Sequence, residues 1–267
     1  MLKKPILHLA QTSLLITHYN RSSSLKLLLS KMDLLNISFS KIIVSDDHSD
    51  MQHLSALEEM SIQFGFELLT TPVNKGLGAS LNALQQAASS ELLFYVQEDF
   101  VPEPSLRNAL AKGVEIMMQT KNWDLIRFYA FPWAPYPYRR SFGNGFSELK
   151  FSLSPTYNSH LKFFMYSDHP HLKRREFARK FGAYREGVSG DQTEQGMCRA
   201  FLKNNGKALY YEDHQHLFAH ENSADEPAQD RSQGSISQRM KQFAPVYSLY
   251  LHYRLARETF KYIFNVN

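Results

Sequence analysis

The run Leu92-Leu93-Phe94-Tyr95-Val96 stops at Gln97-Glu98-Asp99, and Pro102 and Pro104 then break the chain. An unbroken apolar run bounded by turn residues fits a strand buried on both faces, the setting of a parallel sheet. Acids at the carboxyl end of such a strand face the crevice in which open α/β sheets bind ligands. Two neighbouring carboxylates there offer hard oxygen donors suited to a divalent cation that carries phosphate. A Glu-Asp pair is also an ordinary solvated turn, so this run alone leaves both readings open.

Three further segments repeat the plan. Ser13 to Thr17 reads as a strand leading into His18-Tyr19-Asn20-Arg21, and Lys41 to Ser45 as one leading into Asp46-Asp47-His48-Ser49-Asp50. Phe66 to Thr70 leads into Pro72-Val73-Asn74-Lys75-Gly76-Leu77-Gly78. A helical pattern follows each: Ser22 to Leu35, capped by Ser22 or Ser23, then Met51 to Phe64, then Leu77 to Ala88. Pro104 to Thr120 reads as a fourth helix with proline at its start, Asp124 to Phe128 as a further strand, and Pro245 to Phe264 as an amphipathic helix among basic residues. Strands alternating with helices predict an α/β fold: a mostly parallel central sheet with right-handed crossovers, flanked by helices. Every polar cluster then falls on one edge of that sheet.

Taken in order, Thr17-His18-Tyr19-Asn20-Arg21, Val44-Ser45-Asp46-Asp47-His48-Ser49-Asp50, Asn74-Lys75-Gly76-Leu77-Gly78-Ala79-Ser80-Leu81-Asn82 and Gln97-Glu98-Asp99-Phe100-Val101-Pro102 resemble the motifs of the family 2 glycosyltransferases, which have the Rossmann-like GT-A fold. The resemblance covers residues 12 to 110, with weaker echoes to 222. Each motif alone is common; four in this order are specific. The resemblance implies transfer of a sugar from a nucleotide-diphosphate sugar, UDP-linked, to a saccharide or lipid-linked acceptor, assisted by Mn²⁺ or Mg²⁺. Through the family it also implies bacterial surface-polysaccharide assembly. It divides the chain into a nucleotide-sugar-binding half (1–125), an acceptor and catalytic half of the same domain (126–222) with a smaller acceptor-side region, and a tail carrying the amphipathic helix (223–267).

The chemistry assigns the roles. A departing diphosphate gains negative charge, which a divalent ion neutralises. The resemblance makes Asp99 the metal ligand and turns Glu98 toward the donor's ribose or sugar. Gln97 stands where the commonest family form has an acid, so one oxyanion is missing. The family's late histidine matches His220, ahead of Glu221-Asn222-Ser223, with His216 as second choice. These histidines read equally well as a solvated loop, and neither cysteine nor His-Glu-x-x-His accompanies them to suggest zinc. Asp47 resembles the aspartate that accepts uracil N3–H, since a carboxylate only accepts. Thr17, Tyr19 and Asn20 belong to the same nucleotide set, with the Tyr19 ring available for stacking. Asp46 reads as well as a turn former. Asn74, Lys75 and Gly76 would meet the diphosphate, because Gly76 and Gly78 lack a Cβ and admit a close approach.

Inversion at the sugar's C1 needs a carboxylate to take the acceptor's proton. Asp191 falls where the family places its base, with Glu194 the alternative. Asp followed three residues later by Glu also reads as a capping box, and a helix start favours the ionised form. The stretch Phe131-Pro132-Trp133-Ala134-Pro135-Tyr136-Pro137-Tyr138-Arg139-Arg140 offers rings and cations to the acceptor, or else buries its rings against the sheet; both stand. Asp168 and His169 line the acceptor side by the same resemblance.

Composition narrows the field. A length of 267 residues and 43% hydrophobic content suffice for a large α/β core, and a net charge of +4 is too mild for a nucleic-acid binder. The single cysteine, Cys198, excludes an intrachain disulfide; it reads as core and suggests a reducing, cytoplasmic setting. The slight basic excess is compatible with peripheral contact at the inner face of a membrane. No apolar run of about 18 residues is present, the first ten residues do not form a signal peptide, and Glu221 to Ser237 is predicted to be mobile. The rivals are a non-catalytic nucleotide-sugar-binding protein and a sugar nucleotidyltransferase. The latter's Gly-rich N-terminal loop is missing, and no GxGxxG follows the first strand to suggest an oxidoreductase.

Overall fold

The four apolar runs form one half of a single sheet. The computed structural model describes residues 5–129, 136–220 and 244–264. Strands β1 (Leu7–His18), β2 (Ile37–Asp46), β3 (Glu67–Thr70) and β4 (Leu92–Gln97) lie in the order β3-β2-β1-β4, all parallel. The sheet continues through β9 (His171–Arg174), β6 (Leu125–Arg127), β10 (Ala208–Tyr211), β8 (Phe146–Leu149) and β7 (Arg139–Gly143). β8 and β9 run against their neighbours, and the other seven of the nine strands point one way. The expected mostly parallel sheet is therefore present. The boundary between residues 125 and 126 falls inside β6.

Helices cover both faces. α1 (Ser22–Leu34), α2 (Met51–Phe64) and α4 (Leu106–Gln119) pack on one, and α3 (Leu77–Ala87), α5 (Phe177–Phe181) and α6 (Gly190–Lys203) on the other. Period-two alternation sends Leu14, Ile16 and Phe94 into the first core and Leu15, Leu93 and Tyr95 into the second. Leu25, Leu28, Leu29 and Met32 form the buried stripe of α1 at helical spacing. Each such side chain contributes about 1.5–3 kcal/mol by leaving water.

Some boundaries differ from expectation. β1 starts at Leu7, ahead of a register shift between Leu9 and Ser13. Neither Ser22 nor Ser23 caps α1. Arg21 holds that position, and the Ser22 hydroxyl lies 2.8 Å from the His53 ring. Residues 139–149 form the β7–β8 hairpin. After β4 the chain leaves the sheet as β5 (Phe100–Pro102), which pairs with β11 (Phe218–His220) in an antiparallel ribbon. The last helix, α7 (Ala244–Phe264), rests on a 3₁₀ turn at His160–Phe163. Among the described residues no helix is long and apolar enough to cross a membrane. The predicted mobile stretch, 221–237, lies outside the described residues.

Candidate active site

The polar clusters meet where the strands end. β1, β2 and β4 finish on one sheet edge, and β9, running the other way, begins there. His18 and Asp46 face each other across the β1–β2 ladder. His18 Nδ1–H donates to Asp46 Oδ1 at 2.7 Å, while His18 Nε2 accepts the Arg21 N–H at 3.2 Å. Ser49 gives Asp46 its hydroxyl at 2.5 Å and its backbone N–H at 3.0 Å, the turn anticipated for Asp46. Burial would raise the Asp46 carboxyl, but the His18 and Ser49 donors outweigh it and hold it below the ordinary range. Asn20, at a left-handed φ of 52°, joins the same strand ends. Its Oδ1 accepts from Asp50 N–H at 2.7 Å, and its N–H donates to Ser49 Oγ at 2.8 Å. Tyr19 beside it is 45% exposed. Thr17 is buried, with its hydroxyl 3.0 Å from that of Tyr95.

Asp47 anchors the loop ahead of α3. Its two carboxylate oxygens accept the backbone N–H groups of Lys75 and Gly76, each at 2.7 Å, and Thr71 donates at 3.3 Å. The Asn74 and Lys75 side chains are exposed, and Gly76 has φ of 81°, a conformation that favours glycine. The close approach at Gly78 is made by the chain itself. A Cβ there would stand 1.9 Å from the Arg185 carbonyl oxygen, so Gly78 seats α3 against the Tyr184–Glu186 segment ahead of α6 and leaves no room there for a donor. Asn82 completes that seam. Its amide donates to the Tyr184 carbonyl at 3.0 Å and to Glu186 at 2.7 Å, and its oxygen accepts the Tyr184 N–H at 2.9 Å.

Glu98 and Asp99 follow β4 in a turn, both partly buried. Both converge on one cation: Arg21 Nη1 lies 3.2 Å from Asp99 Oδ2 and 3.7 Å from Glu98 Oε1. Two carboxylates gathered around one positive charge offer the oxygen ligands that a divalent ion takes. The β5–β11 ribbon sets His220 opposite Phe100, the residue after Asp99. His216 is exposed and bonded to Asp213 at 2.6 Å, and His214 is buried, its ring 2.6 Å from the Tyr210 hydroxyl.

On the β9 side, Asp168, His169 and Glu194 come together. Among the described residues they form a group whose ligand atoms all lie within 4.8 Å of one another. His169 packs against Phe100 and Tyr129 with ring centroids 5.8 and 5.0 Å apart, which places this group beside the Asp99 turn. Burial and then the Glu194 carboxylate push the Asp168 carboxyl well above its ordinary range. The expected Asp191–Glu194 capping box does not form. Ser189 and Gln192 make it instead, so Asp191 stands exposed in the first turn of α6 with its carboxylate not spent on capping. Behind the group, Lys173 is fully buried and donates to the Tyr184 hydroxyl at 2.9 Å; burial lowers it to about 7.

The described aromatics of the supposed acceptor stretch pack inward. Tyr136 is buried and donates to the Lys150 and Lys162 carbonyls at 2.6 and 3.0 Å, while Tyr138 stacks on Tyr157 at 4.3 Å. Phe131 and Trp133 lie outside the described residues. Sequence reasoning missed the roles of Arg21, His18 and Asn82, although all three stand inside the quoted motifs. The available signal was a cation or amide next to a strand end that also gathers acids.

Comparison with known proteins fits this geometry. Residues 13–187 match the family described as glycosyl transferase family 2, and the chain belongs to that family. Its sheet and helices are those of the GT-A fold. No curated protein matches the chain. Among solved structures, TarS 1-349 of S. aureus in complex with UDP-GlcNAc is similar with a TM-score of 0.61 at 14% identity, over 94% of this chain and 73% of that one. The mannosyltransferase PcManGT from Pyrobaculum calidifontis, in complex with GDP-Man and Mn²⁺, is similar at 0.52 and 14%, over 79% and 59%. Glucosyl-3-phosphoglycerate synthase from Mycobacterium tuberculosis, with Mn²⁺, UDP and glucosyl-3-phosphoglycerate, is similar at 0.52 and 14%, over 80% and 72%. In another TarS 1-349 structure the chain spans 58% of the solved chain's length.

Proposed function

We propose that the chain transfers a sugar from a nucleoside-diphosphate sugar to a saccharide or lipid-linked hydroxyl, with inversion at C1. The observation that carries this reading is the convergence at one sheet edge of a cation-gathering carboxylate pair, an anchored glycine loop and a carboxylate-bearing helix start. UDP-linked and GDP-linked sugars bound by similar folds support the donor class; the acceptor-only Asp47 suits any base edge that donates, uracil N3–H or guanine N1–H, and UDP is taken from the family resemblance. Asp47 Oδ1 accepts from both Lys75 and Thr71, so the lone pair offered to uracil N3–H is on Oδ2, which also holds Gly76. Tyr19, with Thr17 and Asn20 behind it, bounds the base, and the loop Asn74-Lys75-Gly76 opens toward the diphosphate.

Asp99, with His220 and with Glu98 on the ribose side, would hold Mn²⁺ or Mg²⁺, and that ion supplies charge neutralisation for the leaving diphosphate. Arg21 balances the two carboxylates until a cation arrives. Asp191 takes the acceptor proton: it is exposed, stands at the crevice edge, and does not serve as a cap. A second reading makes Glu194 the base, since it lies in the partly buried group with Asp168 and His169. We further read the protein as contacting the membrane peripherally, at its inner face.

Calorimetry of UDP with and without Mn²⁺ tests the core. Binding should tighten with the ion, and Asp99→Asn should lower transfer by about 10²–10³-fold. Metal-independent binding, or full transfer by the variant, would overturn the site. Asp191→Asn should spare UDP binding and abolish transfer. If it transfers normally and Glu194→Gln does not, Glu194 is the base.

A further inference from the structure

Helix α7 has two apolar faces, and the protein covers one of them. Leu255 and Tyr262 point inward, with Tyr262 packed on Phe151 and Phe163 at ring-centroid distances of 5.2 and 5.7 Å. Glu258 is buried on that side and pairs with Arg257 at 2.6 Å. The opposite face carries Val246, Leu249, Tyr253, Phe260, Ile263 and Phe264, each between 45% and 72% exposed. At 3.6 residues per turn these six side chains fall within an arc of about 100°, so they form one continuous line along the helix. Scattered exposed apolar residues are normal; a line of this length marks a contact surface.

The charge beside the line has one sign. Arg254, Arg257 and Lys261 flank it. Glu258 is the helix's single acid, and it faces inward. An apolar line edged by long cationic side chains with aromatics among them is the composition of a helix that lies in a membrane interface. A second copy fits less well. A helix of 21 residues is about 31 Å long and about 10 Å across, so the line covers about 300 Å², far below the roughly 800 Å² per partner of a stable interface.

We propose that this face of α7 docks the protein on an anionic membrane surface, with the apolar line at the acyl boundary and the cations on lipid phosphates. The proposal names the surface for the peripheral contact read above and rests on that part of the reading; it does not depend on the transfer chemistry. Full-length protein without nucleotide should sediment with vesicles of phosphatidylcholine and phosphatidylglycerol at least about tenfold more tightly than with phosphatidylcholine alone, and added salt should weaken the binding. The double variant Leu249→Ser/Phe260→Ser changes only exposed positions. It should lose at least about tenfold in vesicle binding while binding UDP as before. Equal sedimentation with both vesicle types, or a double variant that binds vesicles like the parent, would overturn the docking face and leave the donor site untouched. So would sedimentation equilibrium showing a dimer that the double variant abolishes.

Discussion

Two acids on the same sheet edge behave in opposite ways. Asp46 and Asp168 are both buried, yet the Asp46 carboxyl is held below its ordinary range and the Asp168 carboxyl is pushed well above it. Burial cannot explain the difference, because it raises both. Neighbours decide it: Asp46 meets an imidazole N–H, a hydroxyl and a backbone N–H, whereas Asp168 meets a second carboxylate, Glu194. Lys173 shows the same logic with opposite charge, since its hydrogen-bond partner, Tyr184, is neutral and cannot offset desolvation. The β1–β2 end of the sheet is thus charge-satisfied. The half around β9 is charge-frustrated, which is where proton transfer would be located.

Five substitutions sharpen or break that contrast. Asp46→Ala strands His18 and Ser49 in the interior and should cost about 3–5 kcal/mol in urea unfolding. An equal loss for Asp168→Ala would break the comparison. Next comes Lys173→Met, with an expected gain of about 1–3 kcal/mol near neutral pH. In the parent, stability should climb as pH rises from about 7 toward the ordinary lysine value of 10.5, because the unfolded chain keeps the proton longer. The variant's unfolding free energy should be flat across that window. Asp168→Asn should follow, with a gain of about 1–2 kcal/mol at pH 7. A raised native carboxyl stabilises the fold at low pH, and that contribution fades as pH climbs above the ordinary 3.8 through the native value. The asparagine variant should not show this decline. Asn82→Ala should cost about 1 kcal/mol per lost hydrogen bond, read as a lower melting temperature.

What could be read beforehand depended on how local the cause was. The bounds of α2 agree because its stop signal lies in the chain: Gly65 takes a left-handed φ of 68° right after Phe64. The central strands were visible as apolar runs. β1's first residues were not, since His8 and Gln11 interrupt the pattern on the exposed side of its register shift. The β5–β11 ribbon joins three-residue strands more than a hundred positions apart, and nothing local announces it. At the site, strand-end acids were evident by type, but their partners were not. His18 with Asp46, Arg21 with Asp99, and Asp168 with Glu194 are all contacts of distant segments.

The seam at Gly78 and Asn82 has a practical consequence for anyone recombining such enzymes. Residues 76–82 and 184–186 interlock through a missing methyl and three amide contacts, so they behave as one cassette. A chimera that imports another acceptor region through a cut before Tyr184 inherits a mismatched backbone under α3, and with it a displaced glycine loop. A crossover placed after Gly187 keeps the cassette whole, provided the incoming α6 keeps Thr193, whose hydroxyl donates to the Arg185 carbonyl at 3.0 Å.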